Sequence, residues 1–220
     1  MSELPSGAFI DAEGVWNQVF DRPERKPAGA LFLDRDGIVV EEVHYLHRIE
    51  DIRLVPAVVG VIAQANRLGM PVVIVTNQAG VGRGLYNWQD FAAVQSVILA
   101  ELAATGAIVD AVFACPHHRP ADAPREHPDH PARKPNPGML LRAAQSLPID
   151  LGSSWIVGDR ASDVEAGRRA RIAGGVHVRA GHGLAPGERE RALALGTPEF
   201  KSLAVDSIAE IVERIPLLSR

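Results

Sequence analysis

Asp34-Arg35-Asp36-Gly37 sets two carboxylates two residues apart, directly after the apolar run Ala30–Leu33, with a glycine that permits a sharp turn. One carboxylate of such a pair can attack while the other moves protons. An aspartate is a competent nucleophile toward phosphorus, because the aspartyl phosphate it forms is open to hydrolysis and one hard displacement becomes two. Thr76-Asn77 closes a second apolar run, Val72–Val75, and could hold phosphoryl oxygens together with nearby backbone N–H groups, while Lys134 could offset their charge. Asp159 and Asp163 follow a third run, Trp155–Val157. Three carboxylates gathered in one place repel one another unless a hard cation sits among them, and oxygen donors of this kind suit Mg²⁺. These are the parts that phosphoryl transfer requires. Each piece alone has an ordinary reading: a solvated turn for Asp34 and Asp36, a helix cap and first-turn acid for Asp159 and Asp163, a strand end for Thr76-Asn77. Their joint occurrence in one chain outweighs those readings.

The elements that must bring these residues together are legible from periodicity. Short runs of strand formers bounded by turn residues predict strands at Ala30–Leu33, Val72–Val75, Ile108–Ala114, Trp155–Val157 and Gly175–Val178. Helical patterns lie between them at Val58–Leu68, Asp90–Thr105, Pro137–Ser146 and Asp163–Ala170, and Ile208–Ile215 closes the chain. Alternation of strand and helix predicts an α/β fold, a parallel sheet flanked by helices with no large cap domain. In such sheets ligands sit at the carboxyl ends of the strands, which is where the three aspartates fall. Residues 1–27, with Pro5, Pro23 and Pro27, are predicted to form a surface arm that Trp16 and Phe20 could anchor, ahead of a single domain over 28–220. Cys115–Pro137 breaks the rhythm with an irregular stretch rich in proline and histidine, and a loop of that length inside a compact domain is usually functional. Arg83, within Gly80-Val81-Gly82-Arg83-Gly84, reads equally as part of a phosphate cradle or of a flexible turn.

Composition narrows the partners. At 220 residues and 46% hydrophobic, the chain has room for one sizeable core. Lys and Arg number 23 against 27 Asp and Glu, a net of −4 that speaks against a protein coating nucleic acid. One cysteine cannot form an internal disulfide, so a disulfide-stapled scaffold is excluded and a reducing cytoplasm is the expected compartment. The first thirty residues lack the basic start and apolar stretch of a signal peptide, and no apolar run is long enough to span a bilayer. A monomer acting on a small molecule, with no membrane or nucleic acid partner, is the expectation.

Taken in order, LFLDRDG, VIVTNQ, RKPNPGM and IVGDRASD resemble the four motifs of the haloacid dehalogenase superfamily of phosphatases, over roughly residues 30–180. The resemblance implies a Rossmann-like core, Asp34 as nucleophile, Asp36 as general acid/base and Thr76 and Lys134 as phosphate ligands. It also implies a Mg²⁺ site formed by Asp34, the backbone carbonyl of Asp36 and Asp159, with Asp163 supporting Lys134 or metal-bound water. A narrower likeness adds Glu42-Val43-His44-Tyr45, TNQAGVGRG and CPHH before RKPNPGM, and is similar to the D-glycero-D-manno-heptose 1,7-bisphosphate phosphatases and related histidinol-phosphatases. It implies substrate contacts from Arg35, Glu42, Tyr45, Asn77, Gln78, Arg133 and Arg160, and removal of the C7 phosphate from a heptose bisphosphate. Histidinol phosphate is the alternative substrate, and a non-catalytic sugar-phosphate-binding protein or a phosphotransferase are the alternatives of other classes. Two positions depart from the pattern. Ile38 stands where threonine is frequent, and the zinc loop of that family, Cys-x-His then Cys-x-Cys, is half kept: Cys115 and His117 are present, but His130 and Ala132 occupy the later positions. Cys115, His117, His127 and His130 are the candidate Zn²⁺ ligands, with His118 as a substitute, and a metal-free histidine-rich loop is the competing reading.

Overall fold

Leu31-Phe32-Leu33 and Val72–Val75 are buried on both faces, the pattern of central parallel strands covered by helices on either side. The computed structural model describes residues 4–23, 25–119 and 125–219. Its strands are β1 (Ala8–Ile10), β2 (Trp16–Val19), β3 (Leu31–Leu33), β4 (Val72–Asn77), β5 (Ala111–Cys115), β6 (Trp155–Gly158), β7 (Gly174–Val178) and β8 (Lys201–Val205). They form one sheet in the order β1-β2-β5-β4-β3-β6-β7-β8. The six strands from β5 to β8 run parallel, while β1 and β2 pair antiparallel to each other and β2 antiparallel to β5.

Period-two alternation divides the core. Leu31, Leu33, Val72 and Ile74 face one side with Val61 and Ile62 of α1 (Val58–Arg67), the short α2 (Ala79–Gly82), Phe91 and Ile98 of α3 (Trp88–Ala104), and Ile211 of α7 (Ile211–Arg214). Phe32, Val73, Val75 and Ile156 face the other with Met139 and Leu140 of α4 (Gly138–Ser146), Val164 of α5 (Ala161–Arg169) and Ala192 of α6 (Glu188–Leu193). The long α3 starts at a capping box in which Asn87 accepts from the backbone of Asp90 and the Asp90 carboxylate accepts from Asn87 N–H.

Register sets the site. Leu33 lies opposite Ile74 of β4 and Val157 of β6, so the chain ends of β3, β4 and β6 emerge side by side. Strand order reverses about β3, the crevice in which open α/β sheets hold ligands.

Two differences from the sequence reading concern the ends of the sheet. Residues 8–19, expected within a surface arm, add β1 and β2 to the sheet. Trp16 drives this: it is fully buried, with its ring 5.6 Å from Trp88 and 5.2 Å edge-on from Phe91. The proline count obscured a hairpin of only three and four residues. At the other edge, β8 and α6 lack a clear apolar period, because β8 is only partly buried. Among the described residues no helix is long and apolar enough to cross a membrane.

Candidate active site

Asp34 is the first residue beyond β3, and its backbone N–H donates to Val157 O at 2.9 Å, so the strand pairing itself carries the side chain to the sheet end. Its Oδ1 accepts from Arg35 N–H and from Lys134 Nζ, both at 2.8 Å, and among the described residues Oδ2 takes no hydrogen bond. Lys134 is almost fully buried and also donates to Val75 O at 2.8 Å and pairs with Asp163 Oδ1 at 2.7 Å. One ammonium therefore serves two carboxylates. Burial pushes Asp34 up to about 7 despite Lys134, with Asp163 and Asp36 adding to the rise, whereas the same two acids, Asp163 and Asp34, hold Lys134 above the ordinary lysine range against its own burial. Both values rise, which disfavours the charged carboxylate, with half a counter-charge, and favours the charged ammonium, with two.

Asp159, after β6, is fully buried; its Oδ2 accepts from His182 N–H at 2.7 Å, and among the described residues its Oδ1 has no partner. Burial, then Asp34 and Asp163, push it up to about 8. Gly37 and Gly181, both at positive φ, make this close approach feasible: a Cβ at either would lie 2.7 and 2.6 Å from Asp159 Oδ2. Asp34, Asp159 and Asp163 present oxygens within 4.8 Å of one another. An all-carboxylate cluster containing an orphaned buried oxygen fits a hard divalent cation, and Mg²⁺ takes such donors. Asp163 also caps the start of α5 by accepting from Arg160 N–H at 2.9 Å, so its two oxygens are already engaged by Arg160 and Lys134.

Asp36 is held from two sides. Its Oδ1 accepts from Arg35 Nε at 3.1 Å and Nη2 at 2.8 Å, and its Oδ2 from Gln78 Nε2 at 3.1 Å, with Thr76 Oγ1 at 3.5 Å. Gln78 donates at 2.8 Å to Thr76 Oγ1 and accepts at 2.6 Å from the Tyr86 hydroxyl. This chain of bonds aims the second carboxylate.

Three residues expected at the substrate, Arg35, Asn77 and Gln78, line the cleft and also hold the machinery in place. Arg35 is almost fully buried, clamped on Asp36 and 5.4 Å from the Phe91 ring. Asn77 exchanges two hydrogen bonds with the backbone of Lys134, at 3.0 and 3.1 Å. Gln78 orients Asp36 as described. Glu42, Tyr45, Thr76, Arg133, Lys134 and Arg160 line, with Asp34 and Asp36, a cleft of about 520 Å³. Glu42 is pushed up to about 7 by burial and then by Asp36 and Asp34, and lies 3.3 Å from His182 Nε2. Tyr86 and His182 were missed by sequence reasoning. His182 follows β7, so extending the strand-end rule to that strand would have found it, while nothing local marks Tyr86.

The zinc expectation does not fit the placement of the loop. Cys115 Sγ lies 4.0 Å from His130 Nδ1, but that nitrogen accepts from Ala132 N–H at 3.1 Å. The His117 ring stacks on His130 at 3.9 Å, and its nitrogens face Glu13 O at 2.6 Å and Arg125 O at 3.2 Å. His127 stands edge-on to both rings. Stacked rings cannot direct their lone pairs at one tetrahedral centre. His118 is turned away to the cleft. Among the described residues, the aspartates are the one group of three or more such side chains with converging donors.

A family profile described as HAD-hydrolase-like matches residues 131–209. The chain is 45% identical over 179 residues to a D-glycero-β-D-manno-heptose-1,7-bisphosphate 7-phosphatase of Mesorhizobium japonicum, covering 79% of this chain and 81% of that protein. It belongs to the haloacid dehalogenase-like phosphatases. Two solved structures agree with the fold of this phosphatase. A HAD-like phosphatase from Mesorhizobium loti superposes with a TM-score of 0.82 at 39% identity, over 94% of this chain and 93% of that one. The D,D-heptose 1,7-bisphosphate phosphatase of B. bronchiseptica, solved with magnesium and phosphate, gives 0.70 at 30% identity, over 85% and 97%. The four motifs thus fall in this haloacid dehalogenase-like phosphatase where the sequence reading put them, at the ends of β3, β4 and β6 and ahead of α4.

Proposed function

We propose that this phosphatase removes the C7 phosphate of a D-glycero-D-manno-heptose 1,7-bisphosphate through an aspartyl phosphate on Asp34. The observation that carries the mechanism is the division of labour on one cleft-lining carboxylate: Lys134 and the Arg35 N–H fix Asp34 Oδ1, leaving Oδ2 without a partner among the described residues for attack. Asp36, held by Arg35 and Gln78, protonates the leaving sugar oxygen and then takes a proton from the water that hydrolyses the intermediate. Thr76 and Lys134 hold the phosphoryl oxygens. Mg²⁺ bound by Asp34, the backbone carbonyl of Asp36 and Asp159 would supply positive charge against the transferring group. The heptose assignment is supported by the similarity to the Mesorhizobium japonicum protein and by a cleft open enough to admit a small sugar phosphate.

The test is phosphate release, with Mg²⁺, from heptose 1,7-bisphosphate anomers, histidinol phosphate and simple sugar phosphates. The heptose bisphosphate is expected to lead by kcat/KM, and Asp34→Asn to lose more than about 1,000-fold. Equal rates across the series would overturn the substrate assignment, and turnover surviving in Asp34→Asn would overturn the mechanism. We further infer that His117 and His130 are held by their contacts to Glu13 and Ala132 without zinc; stoichiometric zinc in protein purified without chelator would contradict this.

A further inference from the structure

Asp36 is aimed by two arms, and both lead back to the start of α3. On one, Gln78 holds Oδ2 and is itself held by the Tyr86 hydroxyl, one residue ahead of the Asn87 cap. On the other, Arg35 holds Oδ1 through Nε and Nη2. The Arg35 side chain is almost fully buried, and its Nη1 has no hydrogen-bond partner among the described residues. A guanidinium so far from water, with one edge on a carboxylate and a terminal nitrogen unbonded, needs a further stabilising group to keep its place. The structure supplies a ring face. Arg35 Cζ lies over the Phe91 ring, 5.4 Å from its centroid and inside the ~6 Å reach of a cation–π contact. That attraction is strongest where both partners are out of water, as Arg35 and Phe91 are.

Phe91 is itself fixed. Its backbone N–H donates to Asn87 O at 3.1 Å, directly behind the capping box that starts α3. Its ring is fully buried and stands at a steep angle to two others, 5.2 Å from Trp16 and 5.3 Å from Trp88, with the two indoles 5.6 Å apart. Rings interlocked at interior density resist turning or sliding. Phe91 does not line the cleft, so its route to the chemistry runs through Arg35. Trp16 belongs to β2, which links the N-terminal hairpin to the same guanidinium through Phe91.

We propose that Phe91 is a positioning residue of the reaction: its ring face fixes the Arg35 guanidinium, and through it sets the line along which Asp36 delivers its proton. This rests on the acid/base role given to Asp36 above and extends it to a residue of the apolar core. In the step concerned, Asp34 forms a bond to phosphorus, the sugar oxygen leaves with the electron pair of the bond that breaks, and Asp36 transfers its proton to that oxygen. A misaimed Asp36 therefore matters for a sugar alkoxide and little for p-nitrophenyl phosphate, whose nitrophenolate departs without a proton.

The experiment compares kcat/KM for D-glycero-D-manno-heptose 1,7-bisphosphate and for p-nitrophenyl phosphate, both with Mg²⁺. Because kcat/KM covers events only through departure of the leaving group, the later role of Asp36 as a base does not enter. The variants are Phe91→Leu, which keeps apolar bulk without a ring, and trifluorophenylalanine at position 91, which keeps the ring's shape and removes its negative face. Asp36→Asn is the control. Phe91→Leu is expected to lose about 10-fold or more on the heptose bisphosphate and less than about 2-fold on p-nitrophenyl phosphate, with trifluorophenylalanine losing in the same selective sense. Damage to the fold lowers both substrates and cancels in the ratio. Equal losses on the two substrates in Phe91→Leu, or trifluorophenylalanine matching the wild type on the bisphosphate, overturn the positioning role and leave the phosphatase reading intact. Equal losses in Asp36→Asn itself overturn the acid/base reading and the inference with it.

Discussion

Asp36 illustrates how much of this site lies in the residues that aim a functional group. Its two oxygens are held by Arg35 and by Gln78, and Gln78 is itself held by Tyr86. Gln78→Ala removes one of those holds and strands the buried Tyr86 hydroxyl. The expected result is a fall in kcat of about 10- to 100-fold with KM nearly unchanged, since an acid/base out of line affects the chemical step more than binding. Steady-state kinetics on the bisphosphate checks this, and a rise in KM alone would instead make Gln78 a substrate contact. At this scale the sequence was informative about which residues gather and less so about what each one does. Asp34, Asp36, Thr76, Lys134 and Asp159 come together because strand ends bring them together, a pattern visible in one dimension. That Arg35, Asn77 and Gln78 also hold the machinery rests on bonds to Asp36 and to the Lys134 backbone, formed across 1, 57 and 42 positions of separation.

Elements differ in how plainly they announce themselves. Strands β3, β4 and β6 and helices α1 and α3 carry clean apolar patterns because each is buried on a full face. The hairpin of β1 and β2 does not, and only Trp16 betrays it. Its anchorage to Trp88 and Phe91 ties the start of the sheet to α3, and Glu13, in the turn between the two strands, accepts from Arg142 of α4 and meets His117 through its carbonyl oxygen. Trp16→Ala is expected to cost about 3–5 kcal/mol, the range for deleting a buried aromatic side chain. Urea unfolding of the metal-free protein measures it; a loss under about 1 kcal/mol would mean that the hairpin is not integral to the sheet.

At the scale of the whole molecule, a net charge of −4 hides a cleft lined by carboxylates and guanidiniums together. The carboxylates make stability depend on pH. Asp34 and Asp159 are raised to about 7 and about 8, so between the ordinary aspartate range and about pH 8 the metal-free native state keeps protons that the unfolded chain has lost. Stability without metal is therefore expected to fall as pH rises through that window. Mg²⁺ needs the ionised carboxylates, so its stabilising effect is expected to grow over the same range. Thermal unfolding with and without saturating Mg²⁺ reads both trends, and a larger Mg²⁺ effect at acid pH would contradict the assignment of these aspartates. The account centres on covalent transfer to one residue. Rapid acid quench of the enzyme during turnover of heptose 1,7-bisphosphate, followed by peptide mass spectrometry, tests it most directly. The prediction is one phosphoryl group on the peptide that carries Asp34, absent from Asp34→Asn. Phosphate released with no enzyme-bound phosphoryl, or with the label on another residue, would contradict it.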